Sequence, residues 1–364
     1  RALQAGRREG RRELRATCGV GHATGDHLVI GLRRRPQVHL HARIASVDVE
    51  EARSAPGVVD VVTGADVDLQ PAKPAPVGHA AMVRPFLATD KVRFVGEPVA
   101  AVLTEQAYQG PDAAELVVVD YDPLPAVVDM RDAVRDEVLL FDEAGTNTVF
   151  GFGLDEPFDE HLFDGCDAVV TTELVNQRLA AAPLETRAAA AQWGDDGRLT
   201  LWCSTQNAQA TRDEVAGWLG IEPGRLRVIT PDVGGGFGAK IGADPEFALV
   251  GWLAKRTGRA VRWSESRSEN MTGMLQGRAQ RQTVTIGGTR DGRVLAYRLD
   301  ILADAGAYPR LGAFLPYFTR SMAPGVYDIA RVESRARVVA TTTTSIGAYR
   351  GAGRDESAAA EQAE

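Results

Sequence analysis

Apolar and polar residues follow two different periods along this chain, and the change from one to the other predicts a mixture of strands and helices. Helical periodicity predicts one helix from Thr104 to about Leu116, one that ends at Leu219, and one that begins near Ala243. Ser204 or Thr205 is the predicted N-cap of the second helix. Short β-branched and apolar runs between turn residues predict strands at 38–49, 58–63, 91–104, 117–121, 168–179, 187–193, 199–204, 227–230, 260–265, 280–287, 293–303 and 331–345.

The densest pattern is a strand, a glycine-rich loop and a helix at 226–255. Pro231 and Asp232 end the strand, and the loop that follows places four glycines around one aromatic residue: Gly234, Gly235, Gly236, Phe237 and Gly238. Each glycine costs about 0.5–1 kcal/mol of conformational entropy relative to alanine in a regular element. We therefore expect backbone here to adopt positive φ or to lie against a ligand, with its N–H groups forming a nest for anionic or polar oxygens.

Two other interpretations of this loop remain open from the residues alone. The glycines are also typical of a simple turn between a strand and a helix. The spacing Gly234-x-Gly236-x-x-Ala239 satisfies the fingerprint of a Rossmann-type dinucleotide-binding module, and the acidic Glu265 ends the next predicted strand. The loop lies deep in the chain, however, and Gly242 would weaken the first turn of the required helix. A non-catalytic interaction fragment is a third possibility.

Charge is distributed unevenly along the 364 residues. The first 35 residues hold nine arginines and three acids, a net charge of +6, which leaves −14 on the rest of a chain whose net charge is −8. We expect this basic segment, 1–35, to be poorly ordered or not the authentic start. An acidic body argues against nucleic-acid binding. Neither a membrane-spanning run nor a secretory signal is visible, so a cytoplasmic location is predicted.

Cysteine and histidine usage limits the kinds of metal chemistry that side chains could support. The three cysteines are isolated and form no C-x-x-C pair, which disfavours an iron–sulfur cluster, a structural zinc site or a disulfide framework in this chain. All six histidines precede the glycine loop, which disfavours a local Ser-His-Asp triad or a histidine-ligated metal. A metal at this loop would have to be held by something other than side chains.

Several separated motifs occur in a definite order. STQN at 204–207, DVGGGFGAK at 232–240 and GAYRGAGR at 347–354 follow ARIASVDVEEARSAPGVVDVVTGADV at 42–67 and KVRFVGEPVAAVLTEQAY at 91–108. In this order they resemble the molybdenum hydroxylase large subunits, the family of xanthine dehydrogenase, aldehyde oxidase and carbon monoxide dehydrogenase-type proteins, over about residues 38–357. The resemblance implies an α+β fold, in which an α/β hammerhead domain at 36–145 precedes the first, incomplete molybdopterin-binding domain at 146–364.

The resemblance also implies a site and its cofactor. The cofactor would be molybdenum–molybdopterin, with the cytosine dinucleotide form as one option, and an iron–sulfur subunit and an FAD-binding subunit would be partners. Phe237 and Arg350 would lie near the molybdenum without being side-chain ligands. The residues implied to bind the cofactor are Gln206, Gly235, Gly236, Phe237, Gly238, Tyr349, Arg350 and Gly351.

Two departures from the family shape the expected activity on a small-molecule substrate. Arg350-Gly351-Ala352 stands where copper-containing carbon monoxide dehydrogenases have Arg-Cys-Ser, so hydroxylation of aldehydes or N-heterocycles with water-derived oxygen is predicted instead. The family's catalytic glutamate lies in a C-terminal molybdopterin domain beyond Glu364. We therefore expect a chain truncated at its C-terminus that lacks its general base and is inactive as an isolated fragment.

Overall fold

The computed structural model describes residues 27–33, 40–74 and 78–361 of the chain. Its strands, numbered β1 to β17 in chain order, are His27–Arg33, Ala42–Asp48, Val58–Thr63, Lys91–Val92, Ala100–Thr104, Val118–Pro123, Thr148–Phe152, Ala168–Asn176, Leu179–Ala180, Ala188–Trp193, Leu199–Cys203, Leu226–Ile229, Ala260–Ser264, Gln276–Gly277, Gln280–Gly288, Val294–Gly306 and Arg331–Ala340.

The α-helices, numbered α1 to α8, are Glu50–Arg53, Gln109–Glu115, Met130–Ala133, Ala208–Leu219, Pro245–Thr257, Arg267–Gly273, Leu315–Met322 and Arg354–Glu361. Short 3₁₀ turns lie at Gly64–Asp66, Asp142–Ala144, Pro223–Arg225 and Leu311–Phe314. Within the described residues, no helix has both the length and the apolar character that crossing a membrane requires.

Two mixed sheets organise the fold. The larger has the strand order β12-β11-β10-β13-β1-β5-β3, so it joins strands from the first 110 residues to strands that flank the glycine loop. The second has the order β7-β17-β16-β15-β8, in which β16 and β17 are parallel and the other neighbours antiparallel. Smaller sheets contain β4-β2-β6 and β14-β9. The α+β class predicted from the sequence is confirmed.

Helix α5 carries the main core between the larger sheet and α4. All ten residues from Pro245 to Ala254 are buried, including Glu246, so this part of the helix is enclosed on every side. Apolar residues of the sheet and of α4 pack with it in one cluster. A helix that is apolar nearly all round is stable only when it is buried in this way, and here it fixes the end of the glycine loop.

Several predictions are corrected by the structure. His27–Arg33 form β1, in the interior of the larger sheet between β13 and β5, so the expected poor order of residues 1–35 is wrong for this part; the rest of that segment lies outside the described residues. Thr104 ends β5 and does not cap a helix, because α2 begins only at Gln109. The N-cap of α4 is Asn207, whose side chain accepts a hydrogen bond from the N–H of Ala210. The last strand ends at Ala340, before the predicted residue 345.

Candidate cofactor site at two glycine loops

The first glycine loop connects β12 to α5, and its glycine-rich part, 234–238, contains three residues with left-handed backbone. Gly235 and Gly238 both have φ of +99°, and Phe237 between them has φ of +55°. A side chain is rarely tolerated at such angles, so the two glycines are needed for the turn itself. Phe237 has an aromatic ring and is nevertheless held there, with 42% of its surface exposed. The predicted positive-φ backbone is therefore present.

Gln206 ties the loop to the start of α4. Its Oε1 accepts hydrogen bonds from the N–H of Gly238 at 2.9 Å and from the N–H of Lys240 at 3.2 Å. A Cβ atom at Gly236 would lie 2.3 Å from the same oxygen, so glycine is required there for the amide to fit. The Nε2 of Gln206 has no hydrogen-bond partner among the described residues, and it remains able to donate to a ligand.

A buried ion pair holds the other side of the loop. The Nζ of Lys240 donates to the carbonyl oxygen of Glu185 at 2.9 Å and to its Oε2 at 2.8 Å. The same Oε2 accepts from the N–H of Gly234 at 2.9 Å. Since the Lys240 side chain is fully buried, this pair fixes both ends of the loop against the segment that precedes β10.

Between these two ties, the backbone donors of the loop are left unpaired. In the part of the chain that the structure describes, the N–H groups of Gly235, Gly236 and Phe237 donate to no other residue. Successive free N–H groups in a turn of this kind form a concave site for anionic or polar oxygens. Residues 235–237 therefore keep the free N–H groups that the predicted nest requires.

The second glycine loop, at 347–354, is held by a buried arginine that the sequence analysis did not select. Arg278 donates to the carbonyl oxygen of Arg350 at 2.8 Å and pairs with the carboxylate of Asp355. Its guanidinium also lies 4.8 Å from the ring centre of Tyr349. Gly351 has φ of +110°, and the N–H groups of residues 349–351 have no described partner. This loop therefore presents a second run of free donors.

The two loops meet where Gly238 lies against Ala348. A Cβ atom at Gly238 would lie 2.8 Å from the carbonyl oxygen of Ala348, so only glycine allows this approach. The contact brings together the two groups of predicted cofactor-binding residues. Arg350 is exposed, and its side chain makes no hydrogen bond or ion pair within the described residues. The individual roles assigned to these residues stay predictions.

A cavity of about 370 Å³ opens beside both loops. Gly238, Gly347 and Ala348 form one part of its lining, while Glu214 and Trp218 of α4 lie in another. The remaining wall is mostly apolar, and its residues include Met82, Ile241, Leu275, Leu311 and Phe314. A volume of this size is typical of a small-molecule site.

Buried charges behind the cavity support the start of α5. Arg187, 1% exposed, pairs with the carboxylate of Glu265 and lies 3.1 Å from Asp244. Glu265 is therefore engaged by an arginine, and it is not free to bind a ribose as the dinucleotide interpretation requires. The antiparallel strand β10 also separates β11 and β12 from β13, so the glycine loop does not belong to a doubly wound parallel sheet.

Comparison with known proteins identifies the family. Residues 140–363 match the family model of the molybdopterin cofactor-binding domain, and residues 37–125 match that of the a/b hammerhead domain of aldehyde oxidase and xanthine dehydrogenase. The chain belongs to the molybdenum hydroxylase family. This confirms the family predicted from the motifs and the order of its two domain types. The boundary placed between residues 145 and 146 stays a prediction.

Individual relatives agree with the family match. The chain is 35% identical to the nicotine 6-hydroxylase large subunit of Paenarthrobacter nicotinovorans, over 86% of this chain and 40% of that protein. It is 33% identical to a carbon monoxide dehydrogenase large chain of Afipia carboxidovorans, over 81% and 39%. The structure of quinoline 2-oxidoreductase from Pseudomonas putida has a TM-score of 0.85 and 34% identity, over 95% of this chain and 45% of that one. The chain therefore spans less than half the length of these molybdenum hydroxylases.

The geometry of the loops fits a molybdopterin cofactor. Two runs of free backbone N–H groups, an unpaired amide donor on Gln206 and the exposed guanidinium of Arg350 are suited to the oxygens of an anionic, polar group. Among the described residues, no three His, Cys, Asp or Glu side chains lie together as a metal-binding group. Donors of this kind would hold the organic part of the cofactor and leave the metal to it.

Proposed function

We propose that this chain supplies part of the molybdenum-cofactor site of an oxidoreductase that hydroxylates small N-heterocycles or aldehydes. The observation that carries the proposal is the meeting of two glycine loops, each with three successive free N–H groups, at Gly238 and Ala348. The bound cofactor would supply the two-electron oxidation of a C–H bond with oxygen from water. The chain would bind the cofactor and place it beside the cavity.

The residues of the loops would divide this work. The N–H groups of 235–237 and 349–351 would donate to oxygens of the cofactor, and the Nε2 of Gln206 would add a side-chain donor. Arg350 would add a permanent positive charge and a planar pair of donors. Phe237, exposed beside these amides, would lie near the metal and exclude water from one side. The form of the pterin, including the cytosine dinucleotide form, belongs to this proposal.

The substrate class is supported by the loop geometry and by the relatives. By the family resemblance, Gly351 would stand where copper-containing carbon monoxide dehydrogenases have their cysteine, and its φ of +110° disfavours any residue with a side chain. The names of two relatives, nicotine 6-hydroxylase and quinoline 2-oxidoreductase, refer to N-heterocycles. The nicotine 6-hydroxylase and carbon monoxide dehydrogenase relatives are called a large subunit and a large chain, which supports partner subunits for this chain. By the family resemblance, these subunits would carry iron–sulfur and FAD centres.

The test is molybdenum loading. The chain is expressed in a host that makes the molybdenum cofactor, with any sequence that follows residue 364 in its natural reading frame, and metal and pterin are measured per protein. Gly236→Val should displace Gln206 and lower molybdenum content at least about tenfold, with a smaller effect on stability. The matched control is Gly217→Val, since a Cβ at Gly217 meets nothing within 4 Å. Normal metal content in Gly236→Val would show that the loop is only a turn.

Residues 1–364 alone are expected not to turn over. A general base must approach the reacting group to about 3 Å, and neither glycine loop contains a carboxylate in its interior. Asp355, at the end of the second loop, is already paired with Arg278. The assay supplies both electron-transfer partners or an artificial acceptor and follows the oxidation of aldehydes and purines. Molybdenum-dependent oxidation by this chain alone would contradict the expectation, whereas a protein that takes up no molybdenum would favour the interaction-fragment alternative.

A further inference from the structure

The cavity beside the glycine loops contains one carboxylate without an ion-pair partner. Glu214 of α4 lines the cavity, and its Oε2 accepts a single hydrogen bond from the N–H of Ala243 at 3.3 Å. No lysine or arginine in the described residues lies within ion-pair distance of its oxygens. The Glu214 residue is exposed overall, but partial desolvation on the cavity side raises the pKa of its carboxyl group, and the charge of Arg310 opposes this effect. A cation inside the cavity would supply the compensation that the protein does not provide.

The positive groups of the same cavity are already engaged or exposed. Arg84 pairs with the buried Glu246 at 3.0 Å. Arg310 donates to the carbonyl oxygen of Ala243 at 2.8 Å and lies 3.7 Å from Asp244. Lys73 is exposed, so its charge is screened by water. These contacts reduce the repulsion that a bound cation would meet, and Glu214 is the one acidic residue among the described residues that line the cavity.

The wall of the cavity is suited to an apolar ligand. Trp218, 9% exposed, and Phe314 contribute aromatic surface, and Ile241 and Leu275 contribute aliphatic surface. Aromatic rings attract ammonium groups as well as apolar rings. Since Gly238 also lines the cavity, a ligand bound at one end by Glu214 would extend towards the cofactor loops.

We propose that this cavity selects small apolar substrates that carry a protonated amine, and that Glu214 is the residue that binds the ammonium group. The proposal rests on the proposed function, because it names the substrate class of the same site. Glu214 would act as a specificity-determining residue: it would contribute little to the binding of a neutral ligand and would favour a cationic one.

The test measures binding without turnover, on the chain as purified without cofactor. Benzylamine, which is protonated at neutral pH, is compared with benzyl alcohol, a neutral ligand of similar size, by calorimetry and by tryptophan fluorescence. We expect the wild type to bind benzylamine about tenfold or more tightly than benzyl alcohol, and Glu214→Gln to remove this preference. Asp213→Asn is the matched control, because it removes the neighbouring exposed carboxylate, which pairs with Arg212, and it should keep the preference.

Trp218→Phe locates the binding event. It should abolish the fluorescence change caused by benzylamine, since Trp218 lines the cavity. The proposal is overturned if Glu214→Gln keeps the preference for the cation, if Asp213→Asn loses it equally, if the signal survives in Trp218→Phe, or if neither ligand binds. Thermal unfolding of each variant shows whether a loss of binding is a loss of folding. Because no cofactor is present, a failure of molybdenum loading would leave this result unaffected and would be recognised separately.

Discussion

Lys240 provides the most direct test of how the first glycine loop is held. Its Nζ is fully buried and bonds the backbone and the carboxylate of Glu185, which in turn accepts from the N–H of Gly234. Lys240→Met removes the charge and the donors but keeps most of the side-chain volume. The loop would then lose its tie at Gly234 as well, since the carboxylate of Glu185 would no longer be oriented.

The magnitude follows from burial. Removing one partner of a buried ion pair costs about 3–5 kcal/mol when the remaining charge is shut away from water. The Glu185 side chain is 22% exposed, so water can partly replace the ammonium group. Methionine also retains the apolar contacts of the lysine stem. We therefore expect Lys240→Met to lower the free energy of unfolding by about 2–3 kcal/mol.

Chemical denaturation and hydrogen exchange would measure these effects. Exchange at residues 232–240 should speed up in Lys240→Met, while Lys73→Met, a substitution of an exposed lysine, should change stability by less than about 0.5 kcal/mol. A double-mutant cycle with Glu185→Gln should give a coupling free energy of about 1–2 kcal/mol. Additive single substitutions with unchanged loop exchange would refute the inference that this pair holds the loop.

Three further predictions concern the supporting structure. Burial raises the pKa of Glu97, so the folded protein binds this proton more tightly than the unfolded chain, and its contribution to stability falls as pH rises above its ordinary value of 4.5. Glu97→Gln should remove this loss, so the variant should gain stability relative to wild type as the pH rises above 4.5 in denaturation experiments, and parallel pH profiles would contradict this. Asn207→Ala should cost about 1 kcal/mol and speed exchange of the Ala210 N–H, because the α4 cap is lost; unchanged exchange would argue against the cap. Gly351→Cys should lower the melting temperature, because this position has φ of +110° and a Cβ would lie 2.7 Å from the Asp355 carboxylate, whereas an unchanged melting temperature would show that the turn relaxes freely.

The local pattern of apolar and polar residues was sufficient to predict most of the strands and helices. The β-branched run at 227–230 corresponds to β12, and the apolar segment that begins near Ala243 corresponds to α5. The predicted hairpin of 280–287 and 293–303 is also formed, by β15 and β16. These segments succeed because the periodic burial of their side chains is set within the segment itself.

Predictions failed where the deciding partner is distant in sequence. His27–Arg33 look like part of a basic tail, yet β13 and β5 on either side make this segment an interior strand. The choice of Asn207 over Ser204 as N-cap also depends on tertiary structure, since the Oγ of Ser204 is engaged by the N–H of Ala188, sixteen residues earlier. No local pattern in the sequence contains these pairings.

In the candidate site too, features set by neighbouring residues were predicted, and features set by residues distant in sequence were missed. Glycine spacing indicated where the backbone would approach a ligand, and the structure contains the required positive φ at Gly235, Gly238 and Gly351. The side chains that hold the loops were missed, because Lys240 bonds a residue 55 positions away and Arg278 bonds residues more than 70 positions away. Lys240, two residues after Gly238, was the one available signal in the sequence for how the loop is held, and its role depends on Glu185.

The two glycine loops are held in place in a similar way, and this determines which substitutions should alter the site. In each, side chains bind the loop beside its free N–H groups: exposed Gln206 and buried Lys240 in the first loop, and buried Arg278 in the second. The backbone N–H groups beside these side chains keep a fixed direction and make no hydrogen bond within the described residues. A ligand can therefore bind them without breaking an internal hydrogen bond. Such preorganisation lowers the cost of binding, and it lies in the side chains that hold the loops and not in the free groups that would contact the ligand. Exposed Arg350 can be replaced with little change to the loops, whereas replacing Arg278 frees the carbonyl oxygens of 349 and 350 and the carboxylate of Asp355 together. Sensitivity to mutation should therefore follow burial of the ties more closely than proximity to the cofactor.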